Sequence, residues 1–226
     1  MAQKSVALLI KGINSTTGLE KNEIALNVGD ENGPAPYKKI EVDFFKCYDN
    51  LKEKILDPLD EKFDLKIYLS TYDSKDFEKI NNTLKPESFL LNALDNHPID
   101  TFINGLRLIS DVDYIIAYRF DAFLYNSILS LNMNYDLINI PWRERNHWGT
   151  IRGVGDLLFL YPFEYNDAFI AALEACKSKR SIHRIYDELA SAISESKFNF
   201  MTDQMCNIVQ GNNPIGYIDR VKILHG

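Results

Sequence analysis

The stretch DYIIAYRFDAFLYN, residues 113–126, decides how the rest of the chain is read. Tyr114 to Tyr118 form a short, continuous apolar run, the pattern of a strand buried on both faces. The run ends abruptly in Arg119-Phe120-Asp121. Side chains alternate along a strand, so Arg119 and Asp121 leave it on the same face. A strand that only fills a core ends more simply in Gly, Asn or Ser. Two readings follow for Asp121: a side chain turned toward a ligand, or the N-cap of a helix that comes next.

Working outward, similar apolar runs recur at intervals. SVALLIKG (5–12) reads as a strand closed by Gly12, and DLKIYLSTYDS (64–74) as a second, from Leu65 to Leu69. YDLINIPW (135–142) is a short run closed by Pro141. GVGDLLFLYP (153–162) gives a strand from Leu157 to Tyr161, stopped by Pro162, and GYIDRVKILHG (216–226) closes the chain as a terminal strand. Helical periodicity fills the gaps. It shows in DFFKCYDNLKEKILDPLDEKF (43–63) through Phe45, Tyr48, Leu51 and Ile55, with Pro58 limiting the helix. It shows again in DTFINGLRLISD (100–111), with Phe102, Leu106 and Ile109 on one face, in 163–178 and in 181–196. MTDQMCNIVQG (201–211) reads as a helix capped near Thr202 or Asp203 and closed by Gly211. Residues 74–94 look like short helical or irregular pieces, and 13–42 like loop. Strands alternating with helices predict an α/β fold: one domain over residues 1–226, with a mostly parallel central sheet flanked by helices.

Bulk properties narrow the function classes. A formal charge of −7 argues against non-specific binding of nucleic acid or anionic lipid, so an anionic ligand must meet locally placed cations or a metal. Cys47, Cys176 and Cys206 have no paired or metal-type spacing and read as reduced thiols. The first apolar run is too short for a signal peptide core or a membrane span, which predicts a cytoplasmic protein. GxGxxG, Walker, GxSxG and HExxH motifs are absent from the sequence.

In a parallel sheet, ligands gather at the C-terminal strand ends. Those ends offer Lys11, Gly12 and Asn14, then Ser70, Thr71 and Asp73, then Arg119 and Asp121, with Asp156 before a later strand and His225 at the last one. Lys11 and Asn14 read equally as phosphate contacts or solvated loop, and Asp73 as a turn residue. His97 and His183 receive no role. The segment PWRERNHWGTIRGVGD (141–156) interleaves Arg143, Arg145, His147 and Arg152 with Trp142 and Trp148. It reads as a solvated loop or as a glycine-loosened lid, with aromatic faces for sugar rings and Arg forks for phosphate.

The order of these features resembles the GT-A glycosyltransferases, including small members from large algal viruses and from bacterial capsule and lipopolysaccharide gene sets. FINGLRLISDVDYIIAYRFDAFL (102–124) is similar to the family's helix, apolar strand and Asp-x-Asp motif, and GVGDLLFLYP to its acceptor-side strand. Arg119 stands where the first Asp of that motif would be. The resemblance implies a nucleotide-binding part over about 1–125 and an acceptor-side part over about 126–226. It implies Mn²⁺ or Mg²⁺ on Asp121, completed by His225, and a UDP- or GDP-linked sugar donor. Lys11, Gly12, Thr71, Tyr72, Asp73, Arg107 and Arg119 would then contact the nucleotide. Asp156 or Asp203 would be the base for the acceptor hydroxyl. The loop residues Arg143, Arg145, His147, Trp148 and Arg152 would hold a glycan acceptor. Two alternatives stay open: a sugar-phosphate nucleotidyltransferase, of whose Gly-rich basic signature KGINSTTGLEKNE (11–23) is a poor version, and a non-catalytic binder of sugars or nucleotides.

Overall fold

The computed structural model describes residues 3–12, 44–93, 96–120, 122–145, 151–179, 181–201 and 215–217. Its centre is β1 (Ser5–Gly12), whose residues Val6 to Lys11 are all buried. β2 (Asp64–Tyr72) and β4 (Tyr114–Arg119) run parallel to it on either edge. β3 (Ser88–Asn92) adds parallel to β2 as the outer strand. Beyond β4 come β9 (Leu158–Pro162), antiparallel to both neighbours, then β6 (Ile138–Ile140) and β10 (Phe198–Phe200). The seven-stranded order is β10-β6-β9-β4-β1-β2-β3, and β9 alone in it runs against the rest. The expected mostly parallel α/β sheet is therefore what the chain builds.

Each strand's alternation feeds two cores. Val6, Leu8 and Ile10 face one layer, with α1 (Phe44–Leu51), a π-helical turn (Lys52–Leu56), α2 (Asp57–Lys62) and α3 (Phe77–Leu84). Ala7 and Leu9 face the other, with α4 (Pro98–Leu106), α5 (Asn166–Ser178) and α6 (Ile185–Ala192). The same alternation carries past the apolar runs. Lys11 follows Leu9, and Arg119 follows Ile115 and Ala117, so both emerge on the α4 side.

Several local expectations give way to tertiary structure. Pro58 does not stop its helix. The backbone widens ahead of it, Asp57 N–H bonding five residues back to Lys52 C=O, and the helix resumes with Pro58 in its first turn. Residues 88–92 are strand rather than helix or loop, because β2 offers them an open edge. Ile109 lies beyond the end of α4, although it joins the same core. No helix begins directly after residue 121: Ala122–Leu124 is a short strand, β5, paired antiparallel with β11 (Ile215–Tyr217). The helix-cap reading of Asp121 therefore has no helix to cap; Asp121 itself lies outside the described residues. The 141–156 segment is a hairpin at its base, β7 (Arg143–Arg145) against β8 (Ile151–Val154). No described helix is long and apolar enough to cross a membrane.

α4 lies close on the sheet at Gly105. A Cβ there would meet Ser70 Cβ at 2.7 Å and Leu9 Cδ1 at 2.8 Å. Alanine in a helix interior is favoured over glycine by about 1 kcal/mol. Overpacking against a side-chain atom next to the backbone costs about 1–3 kcal/mol. The steric term is expected to win, so Gly105→Ala should lower the urea midpoint of unfolding. An unchanged or raised midpoint would show that α4 can lift off the sheet without cost.

Candidate functional site

β1 and β4 end side by side, with Lys11 and Arg119 as partners in the parallel register. Lys11 is 5% exposed, and its Nζ lies over the Phe102 ring of α4, 4.3 Å from the centroid. That geometry gives the ammonium an attractive π face inside the protein. Arg119 is held by Asp156, its Nη1 donating to Oδ2 at 2.7 Å. The Asp156 side chain is 7% exposed and that of Arg119 27%, so the pair reaches from the interior toward the surface.

The topology explains how residues 37 positions apart meet. Because β9 runs against β4, its beginning lies beside the end of β4, and Arg119 N–H donates to Leu157 C=O at 3.1 Å. Asp156 thus arrives at the C-terminal edge of the parallel strands, where open α/β sheets bind ligands. The backbone just before it is pinned. Gly155 N–H donates to Trp142 C=O at 3.1 Å, and a Cβ on Gly155 would stand 2.6 Å from the indole Cε2. Trp142 is buried at 4% exposure, so it is a wedge beneath the site rather than an aromatic platform on a lid.

His183, to which the sequence assigned nothing, joins the group. It sits in a 3₁₀ turn (Ile182–Arg184) and its Nδ1 donates to Val154 C=O at 2.9 Å. Burial alone would raise the Asp156 pKa. The Arg119 guanidinium, then Lys11 and His183, overcome that penalty and hold the carboxyl well below the usual carboxylate range. A general base works best with a pKa near the operating pH. The groups that keep Asp156 ionised also lower its affinity for a proton.

The end of β2 is differently used. Thr71 Oγ1 donates to Gly12 C=O at 2.8 Å, beside a Gly12 whose φ of +101° favours glycine. Tyr72 O–H donates to Asn96 C=O and accepts from Thr101 Oγ1, both at 2.9 Å. Asn92 donates to Ser70 Oγ and Thr71 C=O, and Asn104 donates to Asn92. Tyr72 thus fastens α4 to the sheet through Thr101, while Thr71 ties the end of β2 to the end of β1. Asp73 is exposed just beyond. Arg107 is not brought to this edge. It caps the other end of α4, near the start of β4, and pairs with Glu174 at 3.1 Å.

The backbones of Arg143, Arg145 and Arg152 lie in the β7–β8 hairpin. Glu144 pairs with Gly153 and Arg145 with Ile151, leaving Arg152 as the extra residue at the register shift. Asn14, Asp121, His147, Trp148, Asp203 and His225 lie outside the described residues. Among the described residues no three His, Cys, Asp or Glu side chains come together as a metal-holding group.

No family model matches the chain, and no curated protein matches it. Solved structures do. A 4-diphosphocytidyl-2C-methyl-D-erythritol synthase is similar over 99% of this chain and 97% of its own, at 12% identity and a TM-score of 0.51. The synthase from Anaerococcus prevotii is similar over 97% and 96%, at 8% identity and 0.52. The chain shares an α/β nucleotidyltransferase-like fold. The glycosyltransferase GlyE of Streptococcus pneumoniae aligns over 92% of this chain at 9% identity and a TM-score of 0.46, and this chain spans about half its length, 47%.

The ion pair fixes a pH dependence. A carboxyl depressed in the folded state contributes its stability above the ordinary Asp value of about 3.9 and loses it as pH falls below that. Unfolding in urea at a series of pH values should show wild type weakening below about pH 4, with Asp156→Asn flattening that part of the slope. At pH 7 the variant should be less stable by about 1–3 kcal/mol, since the partly buried Arg119 loses its carboxylate. An acid slope identical in the two proteins would contradict the pairing.

Proposed function

We propose that this protein is a glycosyltransferase that moves a sugar from a nucleoside-diphosphate donor to a glycan hydroxyl. The observation that carries the reading is the cationic end of the two central strands. Lys11 and Arg119 sit on adjacent register positions at the C-terminal edge of the sheet, in a protein whose formal charge is −7. As the anomeric C–O bond breaks, negative charge grows on the diphosphate that leaves. Fixed cations aimed at that charge in a partly dehydrated site lower the barrier most. The hairpin carrying Arg143, Arg145 and Arg152, together with His147 and Trp148 between them in the sequence, is the acceptor side of the proposal. Asp203 is the base that remains once Asp156 is committed to Arg119.

The described donor set does not fit a divalent ion, because its one carboxylate is surrounded by Arg119, Lys11 and His183. Mn²⁺ or Mg²⁺ belongs to the proposal only through Asp121, with His225 as a second ligand. A second reading, a nucleotidyltransferase acting on a sugar phosphate, is favoured by the near-complete mutual coverage with the two synthases. The products separate the two: a nucleoside diphosphate released from a nucleotide sugar, or pyrophosphate released from a nucleoside triphosphate.

Calorimetry with UDP and GDP, with and without Mn²⁺, tests the reading. Wild type should bind one of them, Mn²⁺ should strengthen the binding, and Asp121→Ala should lose that strengthening while keeping a weaker, metal-independent affinity. Failure of both nucleotides under every condition would count against a nucleoside-diphosphate donor. An Asp121→Ala protein indistinguishable from wild type would remove Asp121 from the site.

A further inference from the structure

Among the described residues no strand pairs with the outer edge of β3, and β3 has none of the devices that blunt such an edge. Ser88-Phe89-Leu90-Leu91-Asn92 holds no charge and no proline, and it pairs with β2 in unbroken register. Phe89 at 45% and Leu91 at 38% are the only large apolar side chains exposed among the described residues. We propose that this edge joins two copies of the chain, β3 pairing antiparallel with β3 of the second copy about a two-fold axis at Leu90. The inference does not rest on the transferase reading.

Alternation along β3 makes the edge self-complementary. The Phe89 ring packs on Phe77 of α3, 5.1 Å between centroids, so Phe89 and Leu91 face the α3 side. Asn92 donates to Ser70 Oγ and accepts from Asn104 of α4, so the even positions face the α4 side. A two-fold axis at Leu90 sets Phe89 of each copy opposite Leu91 of the other. Each exposed apolar side chain then gains an apolar neighbour on its own face, the kind of cross-strand pair that stabilises a sheet. Ser88 comes opposite Asn92 and Glu87 opposite Ala93, so no like charges meet. An axis at Phe89 would set Leu91 against Glu87 instead.

The helix above the edge carries matching charges. On α3, Phe77, Ile80 and Leu84 face the core, and Lys79 turns toward α1, its Nζ 3.9 Å from the Phe45 centroid. Helical spacing puts Glu78, Asn82 and the C-cap residue Lys85 on the other flank. There Asn82 and Lys85, with Phe89, border an open hollow of about 460 Å³ along the edge. Glu78 and Lys85 are both exposed and stand about two helical turns apart. The same axis runs α3 antiparallel to its copy, which brings Glu78 of each beside Lys85 of the other. With strands about 4.8 Å apart, helices lying over the two β2–β3 pairs stand about 10 Å from each other, the spacing of packed helices.

Sedimentation of the whole protein over a range of concentrations reads the association. Wild type should pass from monomer to dimer as concentration rises. Leu91→Lys places a charge on the edge and should raise the dimer dissociation constant about tenfold or more. Glu78→Lys and Lys85→Glu should each weaken the dimer about threefold to tenfold, because each sets like charges together at both ends of the helix pair. The swapped protein, Glu78→Lys with Lys85→Glu, should recover most of the wild-type affinity, since the axis pairs these two positions with each other. All three side chains are exposed and lie away from the site described above, so thermal unfolding at monomeric dilution should stay close to wild type. A wild type that remains monomeric as concentration rises would overturn the proposal and leave the edge to another segment of this chain or to a different protein. A dimer indifferent to Leu91→Lys and to both reversals would overturn it too, because another face would then join the copies. Weakening by the single reversals without recovery in the swapped protein would rule out the axis at Leu90.

Discussion

β1 is buried on both faces and hydrogen-bonded along both edges, so its side chains reach a ligand only where the strand ends. That constraint shapes everything at the site. Parallel pairing with β2 and β4 brings Gly12, Thr71 and Arg119 to the same edge, and alternation turns Lys11 and Arg119 to the α4 side. One antiparallel strand, β9, then delivers Asp156 to that edge from a distant part of the chain. A parallel strand there would have presented its far end instead. The single reversal in the sheet is what gives the cationic edge its carboxylate.

Moving an ion out of water costs several kcal/mol even after relaxation, and a buried pair recovers this only with good geometry and further polar support. Asp156 has that support. One short bond to Arg119 and the fields of Lys11 and His183 outweigh its desolvation. The same balance works against Asp156 as a proton acceptor, because every group that keeps it ionised also lowers its affinity for a proton. A carboxylate so placed is suited to orienting a cation. The polar network of Ser70, Tyr72, Asn92, Thr101 and Asn104 has the parallel task of fixing α4, which in turn carries Phe102 under Lys11.

The strands at the centre of the sheet were legible because their apolar runs are continuous, as burial on both faces demands: β1, β4, β6 and β9 all stand where the sequence places them. β3 was not, since Phe89 and Leu91 are exposed and only the open edge of β2 makes the segment a strand. β10 is three residues long, too short for periodicity to declare itself. Pro58 misled because a π-helical turn absorbs it, a backbone solution without a local signature. At the site, Lys11, Arg119 and Asp156 could be named as strand-end residues, but not the pairing of the last two. That pairing depends on the direction of β9. His183 carried no signal at all, and Trp142, grouped with lid residues by sequence proximity, is held in the core by Gly155. Thr71 and Tyr72 were placed at the correct edge, yet their hydroxyls are occupied by the fold.

The central proposal is that a nucleoside diphosphate binds at the end of β1 and β4, beside Lys11 and Arg119. A crystal structure with a bound nucleoside diphosphate tests it most directly. The account predicts diphosphate oxygens within hydrogen-bonding distance of Arg119 and Lys11, with the Arg119–Asp156 bond intact. A nucleotide seated elsewhere would contradict it.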